Sequence, residues 1–291
     1  MLGRLISLLT AFVLAWFIVD RGLASWVQHE DAIVGQVARY VPQSDPEQLQ
    51  SLLSLGEPDA PMTAVLACDP ALARCRRQLA QLIAWQGQTS KLLGHGVDDS
   101  SGTRRLVYLP RPDARAGTQV GQTVHALDAQ GHLWKAVPTL AQDPTTWTPA
   151  TLDRSLHAIA VDPKRLARDR DDPETVLAVQ IERTMAEALE IPQESGVLLA
   201  GLPVAATQSE GPGLAAALDG AEAELAANIQ FYSGDVALGQ ARGLAKLSDR
   251  TRDRFIRWIL VGKKVSSLSG TGSDAPPSGD DDGGEEDDEA P

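Results

Sequence analysis

The chain is poor in thiols: among its 291 residues only Cys68 and Cys75 carry sulfur that can be oxidised to a disulfide. Its five histidines, His29, His95, His125, His132 and His157, show no metal-ligand spacing with the cysteines or with one another, so no metal site is expected. His125 and His132 are seven apart on one predicted helix and are read as surface residues. No GxSxG stretch supports a serine nucleophile, and no glycine-rich loop is there to cradle a phosphate, so no cofactor is expected. The arginines are scattered rather than gathered on one face, which excludes a nucleic-acid footprint. No apolar run reaches the roughly 20 residues of a comfortable membrane span. The longest, Leu5 to Val19, needs Ser7 and Thr10 to be tolerated within it.

Charge is distributed unevenly. Of the formal net charge of -13, nine acidic residues and no basic one fall between Asp274 and Pro291, so the body is only mildly acidic. Residues 266–291 are Ser, Gly, Pro and acid, a composition that buries too little apolar surface to order itself. At the other end Arg4, the apolar run and Asp20-Arg21 read as an uncleaved anchor over residues 1–24, with Trp16 and Trp26 as interface residues. The alternative is a secretory signal segment ending at Gly22-Leu23-Ala24. Either reading exports the body. The expectation is a single-pass bacterial inner-membrane protein with a periplasmic domain, in a compartment that lets cysteines pair.

The rest is organised around Asp59 to Gln78, which reads as a buried strand, Thr63 to Ala67, turning through Asp69-Pro70 into a basic helix that contains Leu72, Leu79 and Leu82. A second strand, Arg104 to Pro110, completes a βαβ unit with parallel strands. Thr148-Pro149, Asp162-Pro163 and Asp172-Pro173 each put a capping residue before a proline suited to a helix start, which predicts a set of short helices. The last of these, Glu174 to Leu189, is expected to pack the stripe Leu177, Ile181, Met185 and Leu189 on the sheet. Upstream, residues 25–55 are expected to form two helices acting as a stalk. Downstream, Leu214 to Leu218 is expected to close a hairpin before a helix running to Ile229. Ser248 then caps a basic amphipathic helix carrying Phe255, Ile256, Ile259 and Leu260.

Gly56-Glu57-Pro58-Asp59-Ala60-Pro61, the strand, Asp69 and Cys75-Arg76-Arg77, together with Gly196-Val197-Leu198-Leu199-Ala200-Gly201-Leu202-Pro203, resemble the DsbA-like thioredoxin-fold family. The resemblance implies an α/β, thioredoxin-like fold over residues 56–229 with an inserted helical subdomain at about 118–190. Residues 230–265 would form a helical extension. It also implies two departures. Where the family opens its helix with a CxxC pair, aligning the second cysteine on Cys75 puts Leu72 at the attacking position. Pro203, the candidate for the family's cis-proline, follows Leu202 rather than a small polar residue.

For Cys68 and Cys75 a structural disulfide, two free thiols and a working redox pair stay open. The first functional expectation is therefore a catalytically degenerate module that binds an extended polypeptide or envelope protein along Leu72, Leu202 and Pro203, as a scaffold or chaperone-like protein. The alternative is a divergent thiol-disulfide oxidoreductase that uses Cys68 and Cys75.

Overall fold

The computed structural model describes residues 31–32, 34–35, 52–93, 97, 102–113, 115–156, 161–193 and 196–260. The expected anchor, most of the stalk and the acidic tail lie outside these residues. Among the described residues no helix is long and apolar enough to cross a membrane.

Among the described residues five strands form one sheet, in the order β1 (Leu53–Leu55), β3 (Arg104–Pro110), β2 (Met62–Cys68), β4 (Val197–Leu199) and β5 (Leu202–Pro203). Strand β2 (Met62–Cys68) and β3 (Arg104–Pro110) pair in parallel from Met62–Arg104 to Cys68–Pro110, joined by helix α1 (Ala73–Gln86). Both strands are buried on both faces, which accounts for their near-continuous apolar runs. Strand β1 (Leu53–Leu55) lies antiparallel to β3 at one edge. This corrects the stalk reading, because Leu53 pairs with Tyr108 in the sheet instead of extending a helix. The three residues are too short a run to show strand periodicity in sequence.

Between β3 and β4 (Val197–Leu199) the described residues form five helices: α2 (Arg115–Ala129), α3 (Leu133–Leu140), α4 (Pro149–Leu156), α5 (Pro163–Arg170) and α6 (Pro173–Ala188). The last three begin at the three prolines singled out above. Asp162 accepts the N–H groups of Lys164 and Arg165, and Asp172 accepts that of Glu174, so each carboxylate satisfies donors that the first helical turn leaves open. Helix α6 packs on β3, but its buried face is Val179, Glu182, Met185 and Ala186, while Leu177 is exposed. Of the expected stripe, Met185 and Leu189 are buried and Ile181 packs against the same core, so Leu177 alone departs from it, and the polar Glu182 takes an inward position.

Strands β4 and β5 (Leu202–Pro203) form the hairpin, turning at Ala200-Gly201. A single helix α7 (Gly211–Phe231) follows, which corrects the hairpin expected at Leu214 to Leu218. Pro212 is in the first turn of α7, where its missing N–H costs nothing, and Leu214, Leu218, Leu225 and Ile229 form its buried stripe. Helix α8 (Val236–Leu244), the short α9 (Asp249–Arg254) capped by Ser248, and a π-helical turn over Phe255–Leu260 complete the described chain.

The alternation of β2 and β3 divides the core in two. Ala64, Leu66, Leu106 and Tyr108 face α1, α7 and the inserted helices, whereas Val65, Ala67, Val107 and Leu109 face α6, α8 and Phe255, Ile256 and Ile259. The terminal basic helix is therefore part of the domain's second layer. Its Arg252 and Arg257 pair with Asp249 and Asp253, and Arg254 donates to the Ala188 carbonyl.

Candidate functional site

Strand β2 ends at Cys68, and α1 begins five residues later. Between them Asp69 makes the turn: its carboxylate accepts the Ala71 N–H and its backbone carbonyl accepts the Leu72 N–H. The turn is tight enough to bring the Cα atoms of Cys68 and Cys75 to 5.6 Å, and the two sulfurs are bonded. Cys75 is the third residue of α1, in its first turn, and only 2% exposed. Cys68 is half-buried and faces a cleft of about 450 Å³, open mouth included, lined by Asp69, Leu72, Gln78, Arg111, Gln193 and Gly196 among others.

Leu72 occupies the N-cap of α1, extended and 41% exposed, and offers no side-chain cap. Opposite it, Gly196 runs close to β2. It has φ +68° and accepts the Ala67 N–H at 2.6 Å, and a Cβ there would fall 2.6 Å from the Ala67 carbonyl oxygen. Only glycine fits both the left-handed backbone and this approach.

Behind the disulfide, the Tyr108 hydroxyl lies 3.6 Å from the Cys75 sulfur. Burial, helped by the negative charges of Asp69 and Glu182, holds the Tyr108 phenol well above its ordinary pKa. Burial also raises Asp69, although the N–H groups of Ala71 and Asp113 work the other way. Arg76 braces the turn by donating to the carbonyls of Pro70, Ala71, Asp143 and Thr145, and its guanidinium stacks 3.7 Å from the Trp147 ring centroid. Burial lowers its pKa to about 10. The segment between α3 and α4 thus clamps the loop that leads into α1, with the Trp147 backbone N–H donating to the Ala71 carbonyl.

Strand order, the β2-α1-β3 crossover and a helical insertion between β3 and β4 are now all in view. The fold is thioredoxin-like, of the DsbA type. Among solved structures it is similar to a thioredoxin-like oxidoreductase from Silicibacter pomeroyi DSS-3, with 20% identity over 62% of this chain and 99% of that one and a TM-score of 0.46. It is also similar to the thiol-disulfide exchange protein alpha-DsbA2 from Wolbachia pipientis, with 12% identity over 66% of this chain and 97% of that one and a TM-score of 0.45. No protein-family model matches the chain, and no curated protein matches its sequence.

Of the residues singled out in sequence, Cys68, Cys75 and Leu72 come together around one cleft. Leu202 and Pro203 do not join them. Pro203 is exposed in strand β5, paired with Leu198 at the sheet's far edge, and Leu202 lines a separate apolar cavity with Leu199, Leu225 and Leu244. The residue that approaches the disulfide from β4 is Gly196. Among the described residues no three His, Cys, Asp or Glu side chains converge to hold a metal ion. His125, expected on the surface, is largely covered and bonds the buried Glu182 at 2.7 Å. Burial raises Glu182 and the neighbouring Asp128, with His125 opposing the shift in both.

Sequence reasoning missed Tyr108 and Gly196. Tyr108 was legible as the residue sharing a face with Leu106 in β3, the face turned to α1 in a βαβ unit. Gly196 carried the weaker signal of a glycine just before an apolar strand.

Proposed function

We propose that this domain performs thiol-disulfide exchange through Cys68 and Cys75, with an extended polypeptide bearing a dithiol as its partner. One observation carries the reading: the two cysteines are bonded at the lining of one cleft, Cys68 partly exposed at the end of β2 and Cys75 only 2% exposed in the first turn of α1. An incoming thiolate reaches Cys68, and the leaving electron pair settles on Cys75. There the N-terminal end of α1 stabilises negative charge, so Cys75 is the better leaving group.

Leu72, exposed at the lip, supplies apolar contact to the arriving chain, which retains the polypeptide-binding part of the sequence expectation. A bonded pair fits an oxidising compartment, and the proposed setting is the extracytoplasmic side of a bacterial inner membrane with residues 1–24 as the tether. Recovery of the tagged full chain in the soluble cytoplasm would remove that setting.

Single-cysteine variants test the chemistry. Cys75→Ser leaves Cys68 facing the cleft, and oxidised glutathione is expected to trap it as a mixed disulfide visible in intact mass. Cys68→Ser is expected to stay unmodified while folded. Equal labelling of the two variants, or labelling of Cys75 alone, overturns the assignment.

A further inference from the structure

The Tyr108 hydroxyl is buried, and the hydrogen-bond partner it has is the Cys75 sulfur. In the bonded pair that sulfur has no proton, so the phenol is the donor, and a disulfide sulfur is a weak acceptor. Once the pair is opened the same sulfur carries a full negative charge. The contact then becomes a charge-assisted hydrogen bond, about twice as strong as a neutral one. It therefore favours one redox state over the other, with no movement of the backbone required.

We propose that Tyr108 is a catalytic residue of this site: its phenol holds the Cys75 thiolate released in exchange and so sets the oxidising strength of the Cys68–Cys75 pair. The inference rests on the exchange reading above. In the first step a substrate thiolate forms a bond to the Cys68 sulfur, the Cys68–Cys75 bond breaks, and its electron pair leaves on Cys75. In the second step the substrate's other thiolate attacks its own sulfur in the mixed disulfide and releases Cys68 as a thiolate. The substrate dithiol is oxidised to a disulfide and the protein pair is reduced, two electrons passing from substrate to protein. The charged groups around the Cys75–Tyr108 contact are Asp69, Arg76 and, beyond the phenol, Glu182 with His125, while Arg74, Arg111 and Asp113 line the cleft that Cys75 also lines. With two carboxylates near it and burial acting on it, the phenol keeps its proton and remains a donor.

The test compares the wild-type chain with Tyr108→Phe, which keeps the ring and removes the hydroxyl. Both are equilibrated in glutathione buffers and read by alkylation and mass spectrometry. Removing a hydrogen bond to a charged sulfur is expected to shift the equilibrium roughly tenfold toward the bonded form. Thiolate absorbance should show Cys75 titrating about one unit higher in the variant. A purely packing role would instead change the melting temperature of the oxidised form and leave the glutathione equilibrium alone, and that result overturns the proposal. If Tyr108→Phe does not fold, the wild-type protein decides: a reduced Cys75 that titrates above the ordinary value of about 8.5 overturns it, and one below supports it. A wild-type pair that does not exchange with glutathione at all removes the exchange reading, and this inference with it.

Discussion

Glu222→Gln probes the fold where β3, α1 and α7 meet. Glu222 is fully buried on α7 and accepts hydrogen bonds from the Arg104 guanidinium, the Ser90 hydroxyl and the Lys91 N–H. Arg104, at the start of β3, also donates to the carbonyls of Trp85, Gln88 and Thr89, where α1 runs out, and lies over the Trp85 ring. Glutamine keeps the size of the side chain and one acceptor oxygen, but it leaves a buried guanidinium without a counter-charge. Removing one partner of a buried pair costs about 3–5 kcal/mol, a large part of the roughly 5–15 kcal/mol that holds a domain folded. In urea, with a slope near the upper end of about 1–3 kcal/mol per molar, the midpoint should fall by about 1–2 M. Glu224→Gln is the control two residues along the same helix. Its pair with Lys246 is exposed, so the change should cost less than about 1 kcal/mol. Replacing both buried partners, Arg104→Met with Glu222→Leu, should lie closer to wild type than Glu222→Gln does. If Glu222→Gln unfolds at the same urea concentration as Glu224→Gln, the reasoning about that junction is refuted.

Two other changes bear on the site and its surroundings. Gly196→Ala forces a Cβ toward the Ala67 carbonyl in a left-handed backbone, which costs at least about 1–2 kcal/mol and displaces the end of β2 that carries Cys68. It should lower the melting temperature and slow exchange with glutathione, whereas a wild-type melting curve would contradict the close approach. Burial raises the pKa of Glu182 in the folded chain, so the folded state binds the proton more tightly than the unfolded state does. The stability this group contributes is full below its unfolded pKa of about 4.3 and is lost as pH rises through the folded value. Glu182→Gln keeps a partner for His125 without the ionisation, so urea midpoints of the variant should gain on wild type between pH 4 and pH 7, by an amount set by that shift. A difference that stays constant with pH would rule this out.

The parts of the fold that sequence made legible are those fixed by local chemistry. Proline after a capping residue located the starts of α4, α5 and α6, and uninterrupted apolar runs located β2 and β3, because both signals depend only on neighbours in the chain. Leu53–Leu55 and the α7 start were misread for the opposite reason. A three-residue strand exists only because β3 offers an edge to pair with, and Gly211-Pro212-Gly213 is turn chemistry that also suits a helix opening. At the site, Cys68, Cys75 and Leu72 were singled out in sequence, but whether the two cysteines pair was left open, because it depends on how tightly the turn at Asp69-Pro70 brings their Cα atoms together. The separation of Leu72 from Leu202 and Pro203 was not, since it depends on which side of the β4–β5 hairpin approaches α1. The structure puts Gly196 on that side and Pro203 on the outer strand.

The redox behaviour of the wild-type pair tests the central claim most directly. The protein would be equilibrated across a series of glutathione buffers, quenched by alkylation and read by mass spectrometry. Exchange through Cys68 and Cys75 calls for reversible titration of both cysteines together, with Cys68 recovered in the mixed disulfide with glutathione. A bond that stays closed across the whole series, in folded protein, would make it a structural staple and contradict the account.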